Sequence, residues 1–253
     1  MTSSTFSSVA NTAAPPSRRD NPFATCWTKP GALPFQFSEG ESADQLVSKL
    51  AAQNWRGAII GPHGSGKSTL LESLKPALLA AGQQVLAVSL HDRERRLPRD
   101  VWNNLASEPA GLPRRTNLAC NGESVHSSRR DKPGGSSTVA QNPRLLIIDG
   151  YEQLSWLERR RLIRHCHRTS TGLLVTAHAE TQLATLIRLA PQQALIAQLV
   201  AQLCSEVSTP ITSSDLAASL ACHGSNVREI FFDLYDRHER NRRIQRTDTA
   251  TST

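Results

Sequence analysis

A chain of 253 residues is long enough for one α/β domain with a smaller appendage, but its apolar share, 38% before its 14 glycines are added, leaves part of it outside a core. A formal charge of +7, mostly arginine, permits an anionic partner, yet no aromatic-interleaved basic motif accompanies it, so nucleic acid is not the favoured reading. No apolar run approaches the ~18 residues of a membrane span, and Cys26, Cys120, Cys166, Cys204 and Cys222 form no C-x-x-C pair, which argues against structural zinc and suits a reducing, cytoplasmic setting.

Residues 1–20 are Ser/Thr/Ala-rich, with neither a basic start nor an apolar segment. A disordered tail is expected there rather than a secretory signal, with an organelle transit peptide as the alternative. Over residues 21–41, Pro22, Pro30 and Pro34 interrupt an aromatic-bearing stretch, which predicts an ordered but irregular arm lying on the domain. Ser42 then caps a helix whose Ala43, Leu46, Val47 and Leu50 repeat at helical spacing, and that helix leads into the strand RGAII.

Directly after this strand, Gly61-Pro62-His63-Gly64-Ser65-Gly66-Lys67-Ser68 fits the pattern G-x-x-x-x-G-K-[ST], known as Walker A. The glycines allow backbone N–H groups to close on phosphate oxygens, and the helix that follows points its positive end at the same place. Lys67 is the cation for the β- and γ-phosphates, Ser68 a Mg²⁺ ligand, and Thr69 a contact on the α-phosphate side. His63 and Ser65 occupy variable positions of the loop. Nothing in the spacing makes His63 catalytic.

Helix STLLESLKPALLAAG, stopped by Gly82, and strand QQVLAVSL follow. The segment HDRERRLPR carries Arg93, Arg95, Arg96 and Arg99, one of which is placed to act in trans on a neighbouring subunit if it is not a solvated turn. Residues 107–142 combine Pro, Gly, Ser, Asn and Arg without apolar periodicity and predict a flexible insertion. Its Arg114-Arg115 and Arg129-Arg130 pairs read as solvated charge.

The apolar strand RLLII then ends in Asp149, where a Mg²⁺-holding acid (Walker B) belongs. Glu152 stands three positions on. SWLERRRLIRHCH is an amphipathic helix whose His165-Cys166-His167 read as surface or packing residues, and GLLVTAH is a further strand ending in Thr176 and His178. Continuous apolar strands alternating with helices indicate a parallel sheet covered on both faces. From 191 to 242 three helices make a small helical domain, in which Pro191 suits a helix start, Ser213 or Ser214 a cap and Gly224 a stop. Residues 243–253 read as a disordered tail.

These features together resemble an AAA+-like or STAND-like P-loop ATPase over roughly residues 42–240. DGYEQ is similar to the D-G-hydrophobic-acid form of Walker B in that group, which implies Glu152 as the hydrolytic group, with Gln153 where a further acid commonly follows. The chain is also similar to small bacterial ATP-binding proteins. The resemblance implies a three-layer P-loop NTPase fold over 42–190, with a C-terminal helical lid domain. It implies a γ-phosphate-sensing polar residue at the end of GLLVTAH, either Thr176 or His178 with Thr176 ahead. In GSNVREI it implies a sensor arginine, Arg228.

The expected function is a Mg²⁺-dependent ATPase, slow if the missing acid matters, that couples nucleotide state to movement of the lid or of a protein partner, with nucleotide-dependent self-association open. The alternatives are a regulatory nucleotide-binding module with little turnover, and a P-loop small-molecule kinase. A transporter ATPase is disfavoured by the lack of an L-S-G-G-Q stretch between the two Walker motifs.

Overall fold

In β1 (Arg56–Ile60), Ala58 and Ile60 face one way and Ile59 the other, and all three are buried, which requires cover on both faces of the sheet. The computed structural model describes residues 20–38, 40–91, 94–106, 144–205, 207 and 209–251. The expected tail before Asp20, the expected insertion at 107–142, and Arg93 lie outside the described residues.

The other strands are β2 (Gln84–Ser89), β3 (Arg144–Asp149), β4 (Gly172–Ala177) and β5 (Thr185–Arg188). They form a five-stranded parallel sheet in the order β2-β3-β4-β1-β5. β4 therefore separates the strand feeding the glycine loop from the strand ending in Asp149, and Gly61, Asp149 and Thr176 all emerge at the carboxyl edge.

One face packs Ile59, Leu145, Ile147 and Leu174 against α2 (Ala43–Ala52) and α3 (Lys67–Ala80). The opposite face packs Ile60, Ile148 and Val175 against α4 (Arg99–Ala106) and α5 (Trp156–Arg168). The result is the expected three-layer α/β fold. β2 departs from the buried strand that its apolar run suggests: it is an edge strand, its Val85, Leu86 and Val88 are only half-buried, and its Ala87 is exposed.

A third core joins α6 (Gln193–Cys204) and α8 (Val227–Thr251) to the arm, with Phe23 and Leu33 buried among Ile196, Leu203, Ile230 and Leu234. The arm, which contains the short helix α1 (Thr25–Thr28), is thus built into the C-terminal helical unit. Asn21 ties it there by donating to the Tyr235 carbonyl at 3.3 Å and to Glu239 at 2.9 Å. The cap of α7 (Ser213–His223) is Thr212 rather than Ser213 or Ser214, because Thr212 and Asp215 satisfy each other's backbone N–H groups in a capping box. The expected tail over 243–253 is also corrected, since α8 continues through Thr251. No helix among the described residues is long and apolar enough to cross a membrane.

Candidate nucleotide-binding site

The turn from β1 into α3 is held at both ends by the sheet: the Gly61 N–H donates to the Ala177 carbonyl at 3.1 Å, and the Leu189 N–H to the Ile60 carbonyl at 2.7 Å. Gly64 and Gly66 take left-handed backbone conformations, with φ of +67° and +89°. Gly66 is the N-cap of α3, so no side chain caps the helix, and its first N–H groups remain available to an anion.

Lys67, 8% exposed, donates from Nζ to the Gly61 and Pro62 carbonyls, both at 2.7 Å. Burial lowers its pKa from the ordinary lysine value, and the charges of Glu152 and Asp149 oppose that shift. Ser68 Oγ donates to Asp149 Oδ2 at 2.6 Å, so the two residues expected to share Mg²⁺ stand side by side. Ser65 Oγ is buried without a hydrogen-bond partner, as is Glu152 Oε2. Two unsatisfied polar atoms, an uncapped helix end and a buried lysine fit a polyanion carrying a divalent cation.

The strand-end residues divide differently from expectation. Thr176 is fully buried, donates to Asp149 Oδ1 at 2.5 Å and accepts from the Gly150 N–H at 2.9 Å. Its hydroxyl thus bridges the Asp149 carboxylate and the Gly150 backbone. His178, one strand position further out on the same face, brings Nε2 to 3.2 Å from Glu152 Oε1 and packs edge-on against the His63 ring at 3.6 Å between centroids. Burial lowers the His178 pKa below the ordinary imidazole value; Glu152 opposes this, while Lys67 and His63 add to it. Neutral His178 is the state at pH 7.

Arg228 lies on the first turn of α8, its guanidinium 5.6 Å above the Phe232 ring, and lines the same cavity as the glycine loop. The α8 start also touches the loop directly, since the Val227 N–H donates to the Gly64 carbonyl at 3.2 Å. Thr69 lines the cavity beside Ser68. Arg95 is found beside its own chain's Glu152: its carbonyl accepts from the Ser155 N–H at 3.0 Å, and it borders a cleft of about 380 Å³ with Glu152 and Gln153.

The cavity of about 1090 Å³ reaches from the loop to an apolar wall of Leu33, Pro34, Leu195, Leu199, Val227 and Phe231. Sequence reasoning left this wall unassigned, as it did Asn226, which accepts from the Glu229 N–H at 3.3 Å and faces Gly64. The prolines and aromatics of the arm were a signal for part of the wall. No local pattern joins residues 33, 195 and 231.

No protein-family model matches the chain, and no curated protein matches it in sequence. Among solved structures it is similar to the ORC1 protein of Aeropyrum pernix, determined in complex with DNA, at 12% identity and a TM-score of 0.48. The match covers 81% of this chain and 61% of the ORC1 chain, so this chain spans about three fifths of that protein's length. The sheet order carries the fold assignment: an α/β P-loop fold with β4 inserted between the glycine-loop strand and the Asp149 strand.

Proposed function

We propose that the chain binds ATP with Mg²⁺ and hydrolyses it, coupling nucleotide state to the position of α8. The observation that carries this reading is the Ser68–Asp149 contact of 2.6 Å at the mouth of the glycine loop, with Glu152 directed into the same cavity. Mg²⁺, when bound, supplies charge neutralisation on the phosphate oxygens. Ser68 and Asp149 hold it, and Thr176 fixes the Asp149 carboxylate so that one oxygen stays directed at Ser68.

Lys67 leaves the Gly61 and Pro62 carbonyls for the phosphates, exchanging two neutral acceptors for charged ones. Loop residues Gly61, Pro62, His63, Gly64, Ser65 and Gly66 wrap the phosphate chain through their backbone, with Thr69 on the α-phosphate side. The wall containing Leu195, Val227 and Phe231 accepts the flat base. Glu152 orients water against the γ-phosphate, and His178, facing it, is the polar group that registers the γ-phosphate. Arg228, on the first turn of α8 and lining the same cavity, is the arginine that contacts that phosphate, so loss of the γ-phosphate removes one hold on α8. The Val227–Gly64 hydrogen bond gives the loop a direct hold on the same helix.

The regulatory reading, binding with little turnover, draws on Glu152 being engaged by His178 and on Gln153 in place of a second acid. The test is ATP consumption by the purified chain with Mg²⁺ and no added acceptor, alongside Lys67→Ala. The ATPase reading expects Mg²⁺-dependent phosphate release and loss of nucleotide binding in Lys67→Ala. Binding without release selects the regulatory module, consumption only on adding a hydroxyl acceptor selects a kinase, and no binding by the wild type overturns all three.

A further inference from the structure

We infer that the exposed face of α5 is a docking surface for single-stranded nucleic acid, with arginines taking the phosphates and Trp156 an unstacked base. On helical geometry, Trp156, Arg160, Arg164, Leu157, Arg168 and Arg161 fall within an arc of about 140°. All six are exposed, and Trp156 and Leu157 are 59% and 69% exposed. An indole presented to solvent to that extent, beside a second large apolar side chain, marks a contact surface.

Among the described residues, three of the four cations on this arc have no acid beside them, and the fourth, Arg161, has only a long contact with Glu158. The one acid of α5, Glu158, is buried and accepts from the Leu97 N–H at 3.3 Å and the Trp102 indole at 3.0 Å. It comes no closer than 4.0 Å to Arg161, while Arg160, Arg164 and Arg168 have no carboxylate partner among the described residues. Two of the guanidiniums are already stacked: Arg160 lies 4.8 Å above the Trp156 ring, and Arg161 lies 4.3 Å above the Trp102 ring. Trp102 is itself braced at a right angle by His165, 5.4 Å away. Planar cations are thus held in place beside indoles, reducing the rotamer entropy lost on binding.

The chemistry selects the occupant. The face sets four arginines around one flat aromatic, and a polyanion that also carries free bases complements both. Arg160, Arg164 and Arg168 recur about every 6 Å along the helix, suiting an extended polyanion. An exposed indole adds affinity only if a base is free to stack on it, which a single strand allows and a duplex does not.

This proposal does not depend on the ATPase reading, because the strand can be offered without nucleotide. The experiment is fluorescence anisotropy of an end-labelled twenty-residue oligo(dT) titrated with the full chain in low salt, for wild type, Trp156→Ala, Trp156→Phe and Arg160→Glu/Arg164→Glu. Wild type is expected to bind, with log Kd rising with log salt at a slope of about 2 to 3 for three to four phosphates. Trp156→Ala should weaken binding about tenfold and Trp156→Phe much less. The double charge reversal should weaken it further and cut the slope by more than 1.

All three substituted side chains are exposed, so unchanged melting temperatures and ATP affinities serve as the folding control. Should the charge reversal unfold the chain, the Trp156 pair decides alone. Absence of saturable binding, or equal affinities for wild type and Trp156→Ala, overturns the proposal. So does polyglutamate binding as tightly as oligo(dT), an outcome that assigns the face to an acidic protein.

Discussion

Gly64→Ala tests how α8 is coupled to the glycine loop. A Cβ at this position would lie 1.8 Å from Asn226 Oδ1 and 3.2 Å from the Arg228 nitrogen, at a backbone φ of +67°. The left-handed conformation alone costs an alanine roughly 1–2 kcal/mol. Asn226 must also swing away from the loop, releasing its cap on the Glu229 N–H and costing about 1 kcal/mol more. The expected loss is therefore about 2–3 kcal/mol in urea unfolding, accompanied by weaker ATP binding.

Asn226→Gly separates the two contributions. Glycine at an N-cap costs only a few tenths of a kcal/mol, and it removes the oxygen at 1.8 Å, leaving the Arg228 backbone nitrogen at 3.2 Å as the remaining close neighbour of the new methyl. In the double variant Gly64→Ala/Asn226→Gly, about 1 kcal/mol should be recovered relative to the sum of the single changes, a coupling readily measured in a double-mutant cycle. Additive effects, or a Gly64→Ala loss below about 0.5 kcal/mol, would refute the claim that α8 is seated directly on the loop.

Thr176→Val removes the donor that orients Asp149; losing a hydrogen bond to a charged group costs about 1.5–3 kcal/mol, so the Mg²⁺ concentration for half-maximal turnover should rise roughly tenfold or more, with ATP binding in the absence of Mg²⁺ unchanged. A pure γ-phosphate sensor would instead lower turnover at saturating Mg²⁺. Stability should fall as the pH drops below the ordinary imidazole value of about 6.5, because burial lowers the pKa of both His178 and His238 in the folded chain while the unfolded chain takes up protons first. Urea midpoints between pH 7 and pH 5 check this, and His238→Phe should flatten the slope.

Residues of the site were readable in the sequence where the constraint is local. The glycine loop needs particular residue types at fixed spacing, and the runs GAII, LLII and GLLV can be nothing but buried strands. Short or edge elements were not readable. β5 has four residues and only Leu186 is buried among them, too few for a period. In α4 only Val101 and Leu105 are buried, joined by Leu97 just before the helix, and the preceding run of arginines conceals this short apolar pattern.

The choice between Thr176 and His178 depended on strand order. Ile148 pairs with Val175, which carries Thr176 to Asp149, and that pairing exists only because β4 lies next to β3. The residues of the basic-aromatic face stand together in the sequence, but the bracing of Arg161 by Trp102 was not readable, because the two are far apart in the chain and meet only when α4 packs on α5. The reach of α8 through residues that read as a polar tail belongs to the same class, because its polar C-terminal stretch carries no periodic apolar face.

The central claim is that Glu152 completes a Mg²⁺-ATP hydrolysis site at the carboxyl edge of this sheet. Its most direct test is single-turnover phosphate release by Glu152→Gln and wild type, with ATP affinity measured on the same samples. The account predicts unchanged affinity and a loss of about 10²-fold or more in rate, the scale expected when a group acting on the transition state is removed. Equal rates in the two proteins would contradict it.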